Sequence, residues 1–178
     1  MISLRSRSKP RKGEKLMNVY LVQHGKPVSK EENPDRPLSG QGREDVEKMG
    51  DFLNKAGIMA ELVFHSGKTR ARETAEILAS KISLNRRPLE KKGLSPMDDP
   101  KGIAEELERM QEDVIVVGHL PHLAKLTSLL TVGRDSHSVV ALQQGGAVCL
   151  KRLEAQEGWT IAWMVVPTLI YNFNSDPV

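Results

Sequence analysis

Two histidines stand where an apolar run stops. "VYLVQHGKP" places His24 just after Val19–Val22, and "VIVVGHLP" places His119 just after Val114–Val117. A third run, "ELVFHSGKTRAR", ends in His65, Ser66 and Gly67 and leads at once to Lys68, Arg70 and Arg72. Polar side chains at strand ends, each followed by Gly or Pro, suit phosphoryl transfer. A neutral imidazole held in one tautomer is a competent nucleophile. A guanidinium can bind two equatorial phosphoryl oxygens, and a second histidine can donate to another. Helix starts after Ser66 and near Pro121 add N–H groups and positive dipole character. Such a site works by positioning and charge stabilisation rather than through a metal.

Two neighbouring patterns point elsewhere and fail. "SGKT" at 66–69 resembles the end of a P-loop, but that motif wants glycine five residues before Gly67, where Leu62 stands. "HLPH", with His119 and His122, suggests a metal pair, yet no further Cys, His or carboxylate cluster accompanies it at ligand spacing.

The elements that must position these residues follow from hydrophobic period and turn chemistry. Val19–Val22 reads as a buried strand, and 26–39 as a polar loop with three prolines. Ser39 is a candidate N-cap, with Val46, Met49, Phe52, Leu53 and Ala56 at helical spacing and Gly57 as terminator. "AELVFHS" predicts a second strand, with Ser66 capping a helix whose apolar side carries Ile77, Leu78 and Ile82. Residues 83–97 read as loop, and a helix restarts with Asp99 as N-cap and Pro100 in its first turn. "DVIVVGH" is the clearest strand, and the helix "LPHLAKLTSLL" follows it. "GGAVCLKRL" and "GWTIAWMVV" predict a terminal hairpin. The fold class is therefore α/β: one three-layer domain with a mainly parallel central sheet, helices on both faces, and antiparallel C-terminal strands. In such a sheet ligands bind outside the carboxyl ends of the strands, where His24, His119 and Arg70 would converge.

Length and composition set the bounds. A chain of 178 residues, 39% apolar and 28% charged, suits a single domain with a real core. No apolar run approaches the ~20 residues of a membrane span. The single cysteine, Cys149, excludes an internal disulfide framework and fits a reducing compartment. It lies in "AVCL" and reads as an inert core thiol. The net charge of +3 belongs to residues 1–16, which hold six Lys or Arg and one acid and leave 20 bases against 22 acids elsewhere. This segment has no apolar signal region. It is expected to be a disordered basic extension, or an over-long reading with Met17 as the natural start. A nucleic-acid or membrane-surface arm is the competing reading. The domain is expected over 17–170, with 171–178 as a tail.

Several motifs together resemble the histidine phosphatase superfamily. "VYLVQHG" is similar to its strand and RHG signature, "HSGKTRARETAEIL" to its second helix start, and "VIVVGHLP" to its second-histidine segment. "RPLSGQG" at 36–42 matches a further element, and the compact chain resembles the SixA-type phosphohistidine phosphatases over roughly 17–167. The resemblance implies a phosphoglycerate mutase-like fold and a metal-independent phosphatase of protein phosphohistidine. It implies His24 as nucleophile, with Arg70 and His119 as catalytic and phosphate-binding groups. Gln23 and Ser39 would lie at the phosphate site, Ser39 with Gly42 at its edge. No cofactor is implied. The implied partner is a phosphohistidine-bearing protein such as a phosphotransfer domain, met in signal transduction in the cytoplasm, with no nucleic acid and no membrane.

The departure is Gln23, where the family has arginine. A glutamine amide can still donate to a phosphoryl oxygen but carries no charge and no rigid fork. The exchange costs about 1–2 kcal/mol, an order of magnitude or so in rate. A working but altered phosphatase is expected. A phosphoryl-binding module that has lost catalysis is the alternative. A phosphatase of a small phosphate ester is another, with Asp98 or Asp99 as general acid.

Overall fold

In the computed structural model, the residues described are 17–82, 87–152 and 158–173. The apolar runs become strands β1 (Asn18–Gln23), β2 (Leu62–His65), β3 (Leu89–Glu90), β4 (Val114–Gly118), β5 (Ala147–Arg152) and β6 (Trp159–Val165). They form one sheet in the order β3-β2-β4-β1-β5-β6. β1, β2, β3 and β4 pair in parallel, while β5 pairs antiparallel with β1 and with β6. This is the predicted mixed sheet. β4 is buried along its whole length, which is why its sequence reads as an unbroken apolar run.

Side chains alternate across the sheet into two cores. Val19 and Leu21 join Val114, Val116, Leu123, Leu126 and Ile103 on one face. Tyr20 and Val22 join Ile115, Val117, Val46, Met49, Leu53, Ala75 and Leu78 on the other. The first face carries α3 (Lys101–Arg109) and α4 (His122–Val132), and the second carries α1 (Gly40–Lys55), α2 (Thr69–Lys81) and α5 (Pro167–Phe173). Cys149 lies buried in β5, and burial pushes its thiol up to about 12, as an inert core thiol requires.

α1 matches its sequence signals closely. Ser39 Oγ accepts from Gly42 N at 3.1 Å, and Gly57 takes φ +70° just past the helix end. Met49 and Leu53 are fully buried, each stabilising the fold by about 1.5–3 kcal/mol. Phe52 is instead 38% exposed on the flank of the apolar stripe.

Two expectations are corrected. Ser66 does not cap α2: Lys68 holds the cap position and no side chain makes a capping bond there. A missing cap of this kind costs about 1 kcal/mol. The start of α3, by contrast, agrees with its signals: Pro100 already has helical angles just before Lys101, and Asp99 Oδ1 accepts from Lys101 N at 3.0 Å, the bond expected of a capping residue. The stretch 83–97, read as loop, contains β3, too short to show a period; residues 83–86 lie outside those described. The basic segment 1–16 and residues 153–157, which hold all of the "EAQEG" connection but its glycine, also lie outside.

Candidate active site

Strand order assembles the site. β2, β4 and β1 are neighbours, and their carboxyl ends are level: His65 pairs with Val117, and Gln23 with Gly118. His24, His119 and the His65–Ser66 corner therefore emerge side by side, at the edge where parallel sheets bind ligands. Backbone bonds pin the corner. His24 N donates to Gly118 O, Gln23 N to Gly146 O, and Gly145 N to Gln23 O.

His24 has one defined tautomer. Its Nδ1–H donates to Gly25 O at 2.7 Å, which leaves Nε2 with a free lone pair. Arg70 Nε donates to that Nε2 at 3.2 Å. Arg70 stands in the first turn of α2, which is held against the His24–Gly25 backbone by Thr74. Thr74 Oγ1 accepts from Gly25 N at 3.0 Å and donates to Arg70 O at 2.7 Å. The His119 ring centre lies 4.8 Å from that of His24, tilted by 57°. Ser66 Oγ meets His119 Nε2 at 2.6 Å.

The electrostatics keep both histidines neutral. Burial pulls His24 down to about 4, and the charges of Arg70 and Arg36 act in the same direction. Burial likewise pulls His119 down to about 3, aided by His24, Arg70, Lys68 and His122. A neutral imidazole has the lone pair a nucleophile needs. Burial, with Arg36 close by, also lowers Arg70 from its usual value.

The structure thus brings His24, Arg70 and His119 together. Gln23 is adjacent and buried, with Oε1 unpartnered among the described residues. Ser39 is engaged elsewhere: its hydroxyl accepts from Gly42 N and donates to Lys26 O. Asp98 Oδ2 accepts from Ser95 N and Asp99 Oδ1 from Lys101 N, so both carboxylates tie the turn before α3. His65 Nδ1 accepts from Gly67 N and shapes the corner. Among the described residues, no group of three or more His, Cys, Asp or Glu could hold a metal ion.

Sequence reasoning missed Arg36, Thr74 and the partner of Ser66. Arg36 is half-buried, has φ +50°, a conformation costly for a non-glycine residue, and donates through Nε to Val28 O. Its loop is clamped by Leu38 N to Glu73 Oε2 and by Ser39 N to Lys26 O. The signal was present as the first residue of "RPLSGQG", but nothing local shows that its charge reaches His24.

The chain matches the family model of the histidine phosphatase superfamily (branch 1) over residues 19–96, which include His24, Arg36 and Arg70. An uncharacterized protein of Picosynechococcus sp. (strain ATCC 27264 / PCC 7002 / PR-6) is 29% identical over 142 residues, spanning 76% of this chain and 85% of the relative. The solved structure of the protein histidine phosphatase SixA complexed with tungstate superposes with a TM-score of 0.78 at 21% identity, covering 86% of this chain and 99% of that one. A phosphoserine phosphatase of Entamoeba histolytica, in complex with 3-phosphoglyceric acid, does so with a TM-score of 0.62 at 13% identity, covering 83% and 96%.

Proposed function

We propose that this chain, which matches the histidine phosphatase superfamily model over residues 19–96, hydrolyses protein phosphohistidine through a phosphorylated His24, without a metal. One observation carries this reading: the His24 ring has Nδ1 bonded to Gly25 O and an unprotonated Nε2 that accepts from Arg70 Nε. Nε2 attacks phosphorus in line with the substrate nitrogen. The bond from phosphorus to that nitrogen breaks, and the substrate imidazole, protonated at its other ring nitrogen, keeps the electron pair and leaves as the neutral base. Arg70 moves its donors from Nε2 to the phosphoryl oxygens, and His119 donates to a third oxygen. Water then attacks phosphorus, and the bond to Nε2 breaks. Phosphate leaves with the water oxygen, and the lone pair of His24 is restored.

An imidazole protonated at its other ring nitrogen leaves phosphorus as a neutral base, whereas an alkoxide must be given a proton as it leaves. Asp98 and Asp99, the acids nearest in sequence to that role, already accept backbone N–H groups. This favours the phosphohistidine substrate over a small ester. The second reading is a phosphoryl-binding module without turnover, and the unpartnered buried amide oxygen of Gln23 favours it.

The test is phosphate release from a phosphohistidine-bearing protein by wild type and His24→Ala, with and without a chelator. Release that His24→Ala loses by at least a hundredfold and a chelator leaves unchanged is the expected result. Equal rates in the two proteins would overturn the enzyme reading and, with saturable vanadate binding, favour the binding module.

A further inference from the structure

Ser66 lies between β2 and α2, where a serine ordinarily caps the helix that follows. Here α2 begins at Thr69 without any side-chain cap, and Ser66 Oγ instead meets His119 Nε2 at 2.6 Å. The other ring nitrogen, Nδ1, is buried without a partner among the described residues, on a ring centred 4.8 Å from the His24 ring. A neutral imidazole has one N–H and one lone pair, so the bond at one nitrogen decides the character of the other. If Nε2 held the proton and donated to Ser66, Nδ1 would offer a lone pair to an anionic group and repel it. If the Ser66 hydroxyl donates to Nε2, the proton resides on Nδ1.

We propose that Ser66 is a positioning residue that donates its hydroxyl to His119 Nε2, fixing the Nδ1–H tautomer and making that ring a donor to the transferring phosphoryl group. The inference rests on the phosphatase reading for its purpose but not for its measurement. His119 stays neutral through the ordinary pH range, because burial pulls it down to about 3, so the tautomer and not the charge is what Ser66 controls.

The experiment is long-range proton–nitrogen correlation NMR on the full-length, nitrogen-15-labelled protein. Wild type is expected to show His119 protonated at Nδ1 and bare at Nε2. Ser66→Ala is expected to lose that preference, with its amide spectrum otherwise folded, and to bind vanadate about tenfold more weakly. Its kcat with the phosphohistidine protein should fall by a similar factor. Ser66→Thr, which keeps the hydroxyl, should restore both tautomer and affinity. An Nε2–H tautomer in wild type overturns the proposal, as does an unchanged tautomer or vanadate affinity in Ser66→Ala. A wild type with the Nδ1–H tautomer and no His24-dependent turnover leaves the assignment standing and removes only the phosphatase reading.

Discussion

In the proposed reaction the lone pair on His24 Nε2 is the reactive group, and protonation removes it. Burial comes first among the causes that hold this ring near 4, with Arg70 and Arg36 adding to it. The acid limb of kcat/KM is therefore expected near pH 4, with activity lost as pH falls through it. Arg36 donates to Val28 O at 3.4 Å and sits on the strained +50° backbone, so its charge is held in place near the site. Gln23 carries no charge, whereas the charge of Arg36 is felt at both His24 and Arg70. Arg36→Ala should lower kcat/KM about tenfold, the worth of a lost charge-assisted hydrogen bond of roughly 1.5 kcal/mol. It should also move the acid limb to higher pH. Gln23→Arg should raise kcat/KM and move the limb lower, because a second cation beside His24 disfavours the imidazolium. A limb that neither substitution moves would mean that burial alone sets the His24 proton affinity.

The elements meet most closely where β1 runs into the start of α1. A Cβ on Gly42 would lie 2.0 Å from Lys26 O, and one on Gly25 would lie 2.7 Å from Val46 Cγ2 and 2.8 Å from Gly42 O. Two hydrogens in place of two methyl groups let the helix start seat against the residues that follow the nucleophile. Here lies the physical reason for glycine in both "QHG" and "SGQG". Gly42→Ala must push α1 away from Lys26 or tilt it. The expected cost is about 1–3 kcal/mol, read as a lower urea midpoint, with a fall in kcat that thermal stability alone does not explain. A Gly42→Ala protein of wild-type stability and activity would show that the loop yields without moving His24.

Across the whole molecule, the buried histidines link folding to pH. His24 and His119 titrate near 6.5 when unfolded and near 4 and 3 when folded. Below pH 6.5 the unfolded chain binds protons that the native state refuses, so stability is full above about 6.5 and declines toward pH 4. The slope is roughly 1.4 kcal/mol per pH unit for each histidine protonated only in the unfolded chain. Chemical denaturation at several pH values would measure it, and His119→Asn should reduce it. A stability that is flat between pH 6.5 and 4.5 would contradict the buried, neutral state of both rings. The pairing of β1 with β4 sets the two buried rings side by side, so the cost at low pH comes with the arrangement of the site.

The sequence by itself determined the α/β class, the extent of most elements, and the residue types that could handle a phosphoryl group. Strand runs, the Ser39 cap, Gly57 and the polar strand ends are local signals, set by periods of two and 3.6 residues and by single-residue backbone preferences. Tertiary structure decided who meets whom. His24 and Arg70 are 46 residues apart, and Ser66 and His119 are 53 apart. The Ser66 hydroxyl left its expected cap because strand order set a histidine nitrogen within 2.6 Å. The reach of Arg36, the bridge through Thr74 and the two-residue β3 were likewise unreadable. Each depends on contacts across the sheet that no local pattern carries, and in a parallel sheet those contacts arise only after crossover helices return the chain.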